Sequence, residues 1–379
     1  MMKKRIVELD MVKGIGIIYV FLRHLCELTG VNTYGGEVYF LFDSCTECMM
    51  FLFVFLSGYV YKPKPSIGED IKNKVRQLLI PYLKYISFFS CIYFFVYVLQ
   101  GDMSLAMFGT YTISNFLGNP GFDYLQWTTY VNPIKYAFVP FWYIAEIFSA
   151  FTLFILVFRM VKDKGLQGKG IAAIMLLVLT SLLMYFDLRG IIANTFVSGV
   201  SYFTVCPNIT GFAALLLIGH ILHEVRAFDL EFYSKKNVMI TLAISLVIMI
   251  AFFAFHDNPY ALQYAHWGSF GIRSVYMATV SALALTYMLI NICYYLKRLE
   301  RIRTCLTYIG ANTLDILLLH FGIGELITMA FGFWYPVYDI PYYPADGFAW
   351  WHFHLVVVLT AIIIGIYFAI KKRKEYVWK

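Results

Sequence analysis

The sequence predicts an all-α integral membrane protein with about ten transmembrane helices and both termini in the cytoplasm. Three observations support this fold class. Hydrophobic residues make up 60% of the 379 positions and charged residues only 14%, whereas a soluble domain carries about 25% charged residues. Apolar segments long enough to cross ~30 Å of hydrocarbon recur along the chain, and basic residues cluster in alternate loops between them. We therefore expect a single membrane-embedded domain over residues 1–379.

The apolar segments account for most of the chain, and each is close to the roughly 20 residues that a transmembrane helix needs. The first segment follows a basic start but has no small-residue cleavage site after it. We therefore expect it to remain in the mature protein as the first helix rather than to be removed as a signal peptide. The segments lie at residues 8–29, 38–61, 78–99, 139–159, 170–187, 206–223, 237–255, 270–296, 306–331 and 353–370.

The distribution of lysine and arginine supports this arrangement of helices. If the N-terminus is inside, the cytoplasmic stretches contain most of the 30 basic residues, and the outer loops contain almost none. The positive-inside rule predicts this alternation for an even number of spans. Orientation in the membrane therefore explains the net charge of +7 better than a nucleic-acid partner does. The basic stretches lie at residues 3–5, 62–76, 159–169, 226–236, 297–303 and 371–379.

The loops themselves differ between the two sides. Two outer loops, at residues 100–138 and 333–352, are rich in Tyr, Trp, Gly, Pro and Asn. Aromatic rings with polar neighbours suit stacking on sugars, but they equally suit the lipid interface. On the cytoplasmic side, residues 66–77 are expected to form a short basic amphipathic segment.

The first predicted helix carries charged side chains where they are energetically expensive. A charge at the centre of a membrane helix costs at least about 2.5–3.5 kcal/mol, so each one suggests a function. Lys13 and His24 are eleven residues apart, which places them on one helix face and about 16 Å apart along it. Asp10 lies one turn before Lys13. We expect this face to line a polar cavity, although Asp10 and Lys13 also suit the cytoplasmic interface and His24 also suits a structural role.

Other polar residues lie in or next to later apolar segments. Lys74 and Arg76 form a basic cluster at a helix start, which can bind the phosphates of a nucleotide-containing donor or anchor the chain at the cytoplasmic face. His320 is a second histidine within an apolar segment, and Thr313 lies seven residues earlier on the same helix face. The seven cysteines show no zinc-binding pattern, so we expect no metal site.

Together these segments resemble membrane-bound acyltransferase family 3, and within it the branch of fucose 4-O-acetylase-like proteins. The similarity runs in the same order over nearly the whole chain. The motifs that carry it are Leu9-Asp10-x-x-Lys13-Gly14 with His24, Phe53-x-x-x-Ser57-Gly58-Tyr59, Lys74-x-Arg76 with Pro81-Tyr82, Pro140-Phe141-Trp142-Tyr143-Ile144, and Gly310-Ala311-Asn312-Thr313 with His320.

The resemblance implies an O-acyltransferase of the bacterial inner membrane with ten core helices. Its donor substrate would be an acyl-CoA, usually acetyl-CoA, reached from the cytoplasm, and no bound cofactor is expected. The acceptor would be a hydroxyl of a surface glycan or glycolipid. On this hypothesis Lys74, Arg76 and Ser57 bind the CoA, while Asp10 and Lys13 organise the cytoplasmic end of the cavity.

Acyl transfer from a thioester needs a base that deprotonates the attacking hydroxyl. His24 is the predicted base, because a neutral imidazole accepts a proton near pH 7. His320 is a second catalytic candidate, which either lines the acceptor pocket or shares the proton transfer. Direct transfer and a covalent acyl-histidine relay are both compatible with the sequence.

An exporter of a polysaccharide or lipid-linked sugar, without chemistry of its own, is the main alternative. Ten spans and an aromatic outer face also fit an exporter, but the sequence shows no internal repeat, and the polar residues cluster in the first helix. A glycan polymerase is a second alternative, although no large outer loop separates the apolar segments. Consumption of a thioester distinguishes the transferase from both. The sequence leaves the acceptor sugar, the acyl chain length and the oligomeric state open.

Overall fold

The computed structural model consists of helices throughout the part of the chain that it describes. This agrees with the predicted all-α class. Most of the two aromatic loops, at residues 100–138 and 333–352, lies outside the described residues. The described residues are 6–29, 49–99, 104–106, 108–109, 112, 142–185, 206–230, 234–254, 272–331 and 350–377.

The helices follow the predicted apolar segments in order. They are α1 (Val7–Leu28), α2 (Met49–Tyr59), α3 (Ile67–Lys74), α4 (Ile80–Tyr93), α5 (Trp142–Val161), α6 (Gly165–Tyr185), α7 (Cys206–Glu224), α8 (Lys235–Ala254), α9 (Ile272–Leu296), α10 (Glu300–Ala311), α11 (Thr313–Ala330) and α12 (Trp350–Val377).

The lengths and compositions of these helices are those of a multi-pass membrane protein. Among the described residues, five helices are long and apolar enough to cross a membrane, and the bent pair of α10 and α11 adds a sixth if it forms one span. Two further apolar helices are shorter, namely α2 and the Ile209–Glu224 part of α7. α1 is more polar because it carries Glu8, Asp10, Lys13 and Arg23. The number of ten spans and the cytoplasmic termini stay predictions.

The amphipathic segment predicted at residues 66–77 and the third predicted span form one helical run. Ser66 caps the start of α3, where its hydroxyl accepts a hydrogen bond from the backbone N–H of Glu69 at 3.2 Å. A π-helical turn, Val75–Leu79, then connects α3 directly to α4. The segment that the sequence predicts at the cytoplasmic surface is therefore continuous with a helix that is apolar enough to cross a membrane.

The ninth predicted span, residues 306–331, is not a single helix. α10 and α11 meet at Asn312 with a bend of 77°. Asn312 leaves the helical conformation at φ −113° and ψ 22°, and its side-chain amide donates to the carbonyl of Tyr308 at 2.9 Å. Asparagine favours such breaks because its side chain competes for backbone hydrogen bonds. The apolar pattern continues across the bend, so hydropathy alone does not reveal it.

α1 packs against α9, α10, α11 and α12. Two glycines allow the closest of these approaches. A Cβ atom at Gly310 of α10 would overlap the carbonyl oxygen of Asp10, and a Cβ atom at Gly14 of α1 would overlap the carbonyl oxygen of Leu306. Close backbone contact through small residues is typical of helices packed in membranes. It fixes α1 against the helix that precedes the bend.

Two apolar clusters fill the interior, and α2 contributes to both. One cluster lies mainly among α2, α4, α5, α6 and α7, and the other mainly among α1, α2, α8, α9, α11 and α12. On α2, Phe51 and Phe55 belong to the first cluster, whereas Leu52 and Leu56 belong to the second. The candidate site lies between these clusters, next to α2.

We expect Gly310→Ala to lower thermal stability, because its methyl group would overlap the Asp10 carbonyl and push α10 away from α1. Overpacking of this kind costs about 1–3 kcal/mol. The matched control is Gly365→Ala in α12, where an added Cβ meets nothing within 4 Å and helix propensity improves. Unfolding temperatures of the purified proteins in detergent provide the comparison. A Gly310→Ala protein as stable as the wild type would contradict the close packing.

Candidate active site

A hydrogen bond joins the rings of His24 on α1 and His320 on α11. His24 Nδ1 lies 2.7 Å from His320 Nε2, and the ring planes are inclined by 22° with centroids 5.0 Å apart. The other nitrogen of His320, Nδ1, lies 2.9 Å from the carbonyl oxygen of Ile316, one turn earlier in α11. Both ring nitrogens of His320 thus have partners, and its side chain is fully buried.

These contacts determine where the protons lie when both rings are neutral. A carbonyl oxygen only accepts hydrogen bonds, so His320 Nδ1 carries a proton and donates to Ile316. His320 Nε2 is then an acceptor, and His24 Nδ1 donates to it. His24 Nε2 is left with a lone pair, as a general base requires.

A cavity of about 140 Å³ lies beside His24. Its wall is formed by α1, α2, α5 and α11 together with Leu78 of the π turn, and most of the lining side chains are apolar. The hydroxyl of Tyr143 also lies in this wall, where it donates to the carbonyl of Met50 at 3.1 Å. His24, Ser57 and Thr313 are the remaining polar side chains among the lining residues.

Asp10 and Lys13 lie on the same face of α1 as this cavity. Ile17 and His24 both line it, and their seven-residue separation corresponds to about 10 Å along the helix. Lys13 is one turn before Ile17 on that face, and its ammonium lies 4.0 Å from the carboxylate of Asp10. Along α1, His24 therefore lies at one end of the cavity, and the Asp10 and Lys13 pair lies just beyond the other end.

Lys74 and Arg76 lie in different environments. Lys74 is half-buried, and its ammonium lies 3.7 Å from the centre of the Phe151 ring. Leu78 lines the cavity and is one helical turn after Lys74. Ile147 also lines the cavity and is one turn before Phe151. Arg76, two residues further along, is exposed. Of the two basic residues predicted to bind CoA, only Lys74 is therefore next to the cavity, which the third predicted residue, Ser57, lines.

A buried carboxylate fixes the chain just before Lys74. Asp70, only 2% exposed, accepts hydrogen bonds from the guanidinium of Arg159 at 2.7 Å, the hydroxyl of Tyr61 at 2.9 Å and the backbone N–H of Lys64 at 3.0 Å. Asp70 thereby ties α3 to α5 and to the turn that follows α2.

A second carboxylate anchors the start of α11. Asp315 accepts hydrogen bonds from the ammonium of Lys371 at 2.6 Å and from the hydroxyl of Tyr85 at 3.4 Å. Tyr85 is also within 2.9 Å of the hydroxyl of Tyr367. These contacts join α11 to α4 and α12, one and a half turns before His320.

Several of these residues were not assigned to the site from sequence. Phe53 and Tyr143 lie in the motifs quoted above, but nothing in their pattern indicated a cavity wall. Ile316 contributes a backbone carbonyl, which leaves no signal in the side-chain sequence. Asp70 did carry a signal, since an acidic residue in a first helical turn favours a helix start, but that signal does not indicate a three-way hydrogen-bonding centre.

Comparison with known proteins gives one match. A family model described as an acyltransferase domain, of acyltransferase family 3, matches residues 6–374. The matched region includes both histidines and every other site residue described above. No curated protein and no solved structure matches the chain. The family match favours acyl transfer over the exporter alternative, while the fucose 4-O-acetylase-like branch stays a prediction.

We expect Asp70→Asn to destabilise the protein, because an asparagine amide cannot neutralise the guanidinium of Arg159. Removing one partner of a buried ion pair costs about 3–5 kcal/mol, and the cost here is smaller because Arg159 is 17% exposed. Asp163→Asn is the control, since its pair with Lys162 is exposed and such pairs contribute about 1 kcal/mol or less. Unfolding temperatures in detergent compare the two, and equal shifts would contradict a structural role for Asp70.

Proposed function

The chain belongs to acyltransferase family 3, and from this membership we propose that it transfers an acetyl group from cytoplasmic acetyl-CoA to a hydroxyl of a cell-surface glycan or glycolipid precursor. The protein acts in the bacterial inner membrane. The observation that carries this proposal is the hydrogen-bonded chain from Ile316 through His320 to His24, which ends at a small cavity.

His24 is the general base. The acceptor hydroxyl transfers its proton to His24 Nε2, and the hydroxyl oxygen attacks the carbonyl carbon of the thioester. The bond between this carbon and sulfur then breaks, leaving the acetyl group on the acceptor oxygen. The departing CoA thiolate takes the proton from His24, so the base returns to its starting state.

His320 is a positioning residue for this step. It holds His24 in the tautomer whose Nε2 atom has a lone pair. When His24 takes up the proton, its Nδ1–H group becomes part of a cation, and hydrogen bonds from a cation are about twice as strong as neutral ones. The contact with His320 therefore stabilises the protonated base. The hydrogen bond to Ile316 keeps His320 oriented as an acceptor throughout.

The basic residues beside the cavity support binding of the donor. Lys13 and Lys74 each lie one turn from a residue that lines the cavity, and Arg76 is exposed further along the same run. Ammonium and guanidinium groups bind phosphates through charge-assisted hydrogen bonds. The apolar cavity admits the acyl end of the donor, while the charged nucleotide of CoA stays with these cations.

Ser57 and Thr313 are placed to contact the uncharged arm of the donor. Thr313 is seven residues before His320, or about 10 Å along α11, so its hydroxyl is remote from the reacting atoms. Both residues line the cavity, and the amide groups of the pantetheine arm are suitable hydrogen-bonding partners for their hydroxyls.

The function is tested by incubating the full-length protein in nanodiscs with acetyl-CoA and a panel of surface glycans and their precursors. We expect release of free CoA and an added acetyl mass on one acceptor. His24→Ala is expected to lower the rate by at least about 100-fold without changing the unfolding temperature by more than a few degrees. Undiminished transfer by His24→Ala would remove His24 from the mechanism. Folded protein that neither turns over nor binds acetyl-CoA would contradict the proposed function.

We expect His320→Leu to lower kcat by about tenfold or more, because His24 loses its hydrogen-bond acceptor. The KM for acetyl-CoA is expected to stay close to that of the wild type, since His320 does not line the cavity. His320→Gln retains an acceptor oxygen and should recover part of the lost kcat. Steady-state kinetics of the three proteins separate these effects. Equal losses in the Leu and Gln variants would argue for a purely structural role.

A further inference from the structure

We propose that Phe53 on α2 limits the length of the acyl group that this protein transfers, and that Gly16 on α1 sets the position of the Phe53 ring. The inference rests on the acyl transfer proposed above and identifies a residue that determines its donor specificity. On this proposal the protein accepts short acyl groups, of about two or three carbons, and rejects longer ones.

The cavity has little room beyond the reacting atoms. Its volume of about 140 Å³ is close to that of an engineered apolar cavity of about 150 Å³ that binds benzene, so it holds about six non-hydrogen atoms. The reacting end of an acetyl thioester, comprising methyl, carbonyl and sulfur, contains four such atoms. The acceptor hydroxyl and its carbon then also fit. The reacting end of a hexanoyl thioester is about twice as large, so it would exceed the cavity and exclude the hydroxyl from His24.

Phe53 contacts the α1 backbone at Gly16. Among the described residues that line the cavity, Phe53 has the largest wholly apolar side chain, and it is only partly buried. A Cβ atom at Gly16 would lie 3.0 Å from Cζ and 3.3 Å from Cε2 of this ring. The tip of the ring therefore rests against α1 at Gly16, and a methyl group at position 16 would require the ring to shift by a few tenths of an ångström.

Three residues of the surrounding wall, Ile17, Val20 and Tyr143, have side chains with restricted movement. Ile17 and Val20 are β-branched, which restricts their rotamers within α1. Tyr143 is held by its hydrogen bond to the Met50 carbonyl. Because these neighbours have little freedom to move, they do not fill the space that a smaller side chain at position 53 would leave. The substitution therefore enlarges the cavity. Phe53 is consequently the position at which acyl length is most directly controlled.

The experiment uses the full-length protein in nanodiscs with acetyl-, butyryl-, hexanoyl- and octanoyl-CoA. Binding affinity and CoA release are both measured, so the chain-length preference is visible even with a poor acceptor. We expect the wild type to favour acetyl over hexanoyl by about tenfold or more, the discrimination typical of a tight apolar pocket. Phe53→Ala is expected to abolish most of this preference, and Phe53→Leu to reduce it.

The matched control is Phe51→Leu. Phe51 lies on the same helix, but its ring packs against Phe212 with centroids 6.0 Å apart and does not line the cavity. This variant should keep the wild-type preference for acetyl-CoA although it also loses an aromatic ring from α2. A Phe51→Leu protein with the same change in preference as Phe53→Leu would overturn the assignment to Phe53.

The remaining outcomes separate this inference from the proposed function. Equal use of acetyl- and hexanoyl-CoA by the wild type would overturn the length limit while the acyl transfer stands. Folded protein that binds none of the thioesters would overturn both. If Phe53→Ala does not give a monodisperse protein, Phe53→Leu and Phe53→Met replace it, and an unchanged preference in both would overturn the proposal.

Discussion

The interior of a membrane protein contains little water, so its polar side chains must find hydrogen-bond partners within the protein. At the candidate site, the hydrogen bond between His24 and His320 provides such a partner. An imidazole nitrogen buried without a partner is energetically costly. Pairing the two rings and using the Ile316 carbonyl satisfies three of the four nitrogens. The fourth, His24 Nε2, remains for chemistry. The same contact joins α1 to α11, so His24 and the cavity wall are positioned together.

Contacts on both sides of the cavity hold this arrangement in place. The chain bends by 77° at Asn312, immediately before α11, and the contacts of Asp315 with Lys371 and Tyr85 fasten the start of α11 to α12 and α4. On the other side of the cavity, Asp70 joins α3 to α5 through Arg159. His24 therefore lies between two parts of the molecule, in each of which a carboxylate joins neighbouring helices.

The features that could be predicted from sequence are those that depend on residues close together along the chain. Hydropathy and charge indicate helices and loops because each depends on neighbouring residues, and the eleven-residue spacing placed Lys13 and His24 on one face. The contact of His24 with His320 was not predictable, since the two are 296 residues apart. Lys74 and Arg76 look like a pair in sequence, but residues two apart do not share a helix face, and the structure places only Lys74 beside the cavity.

The shared proton network also bears on how this protein can change over evolutionary time. Each histidine provides the hydrogen-bond partner of one ring nitrogen of the other. Replacing one of them with an apolar residue therefore leaves a polar nitrogen without this partner in an apolar interior. We therefore expect a change at one of the two positions to favour a change at the other, although they lie near opposite ends of the chain.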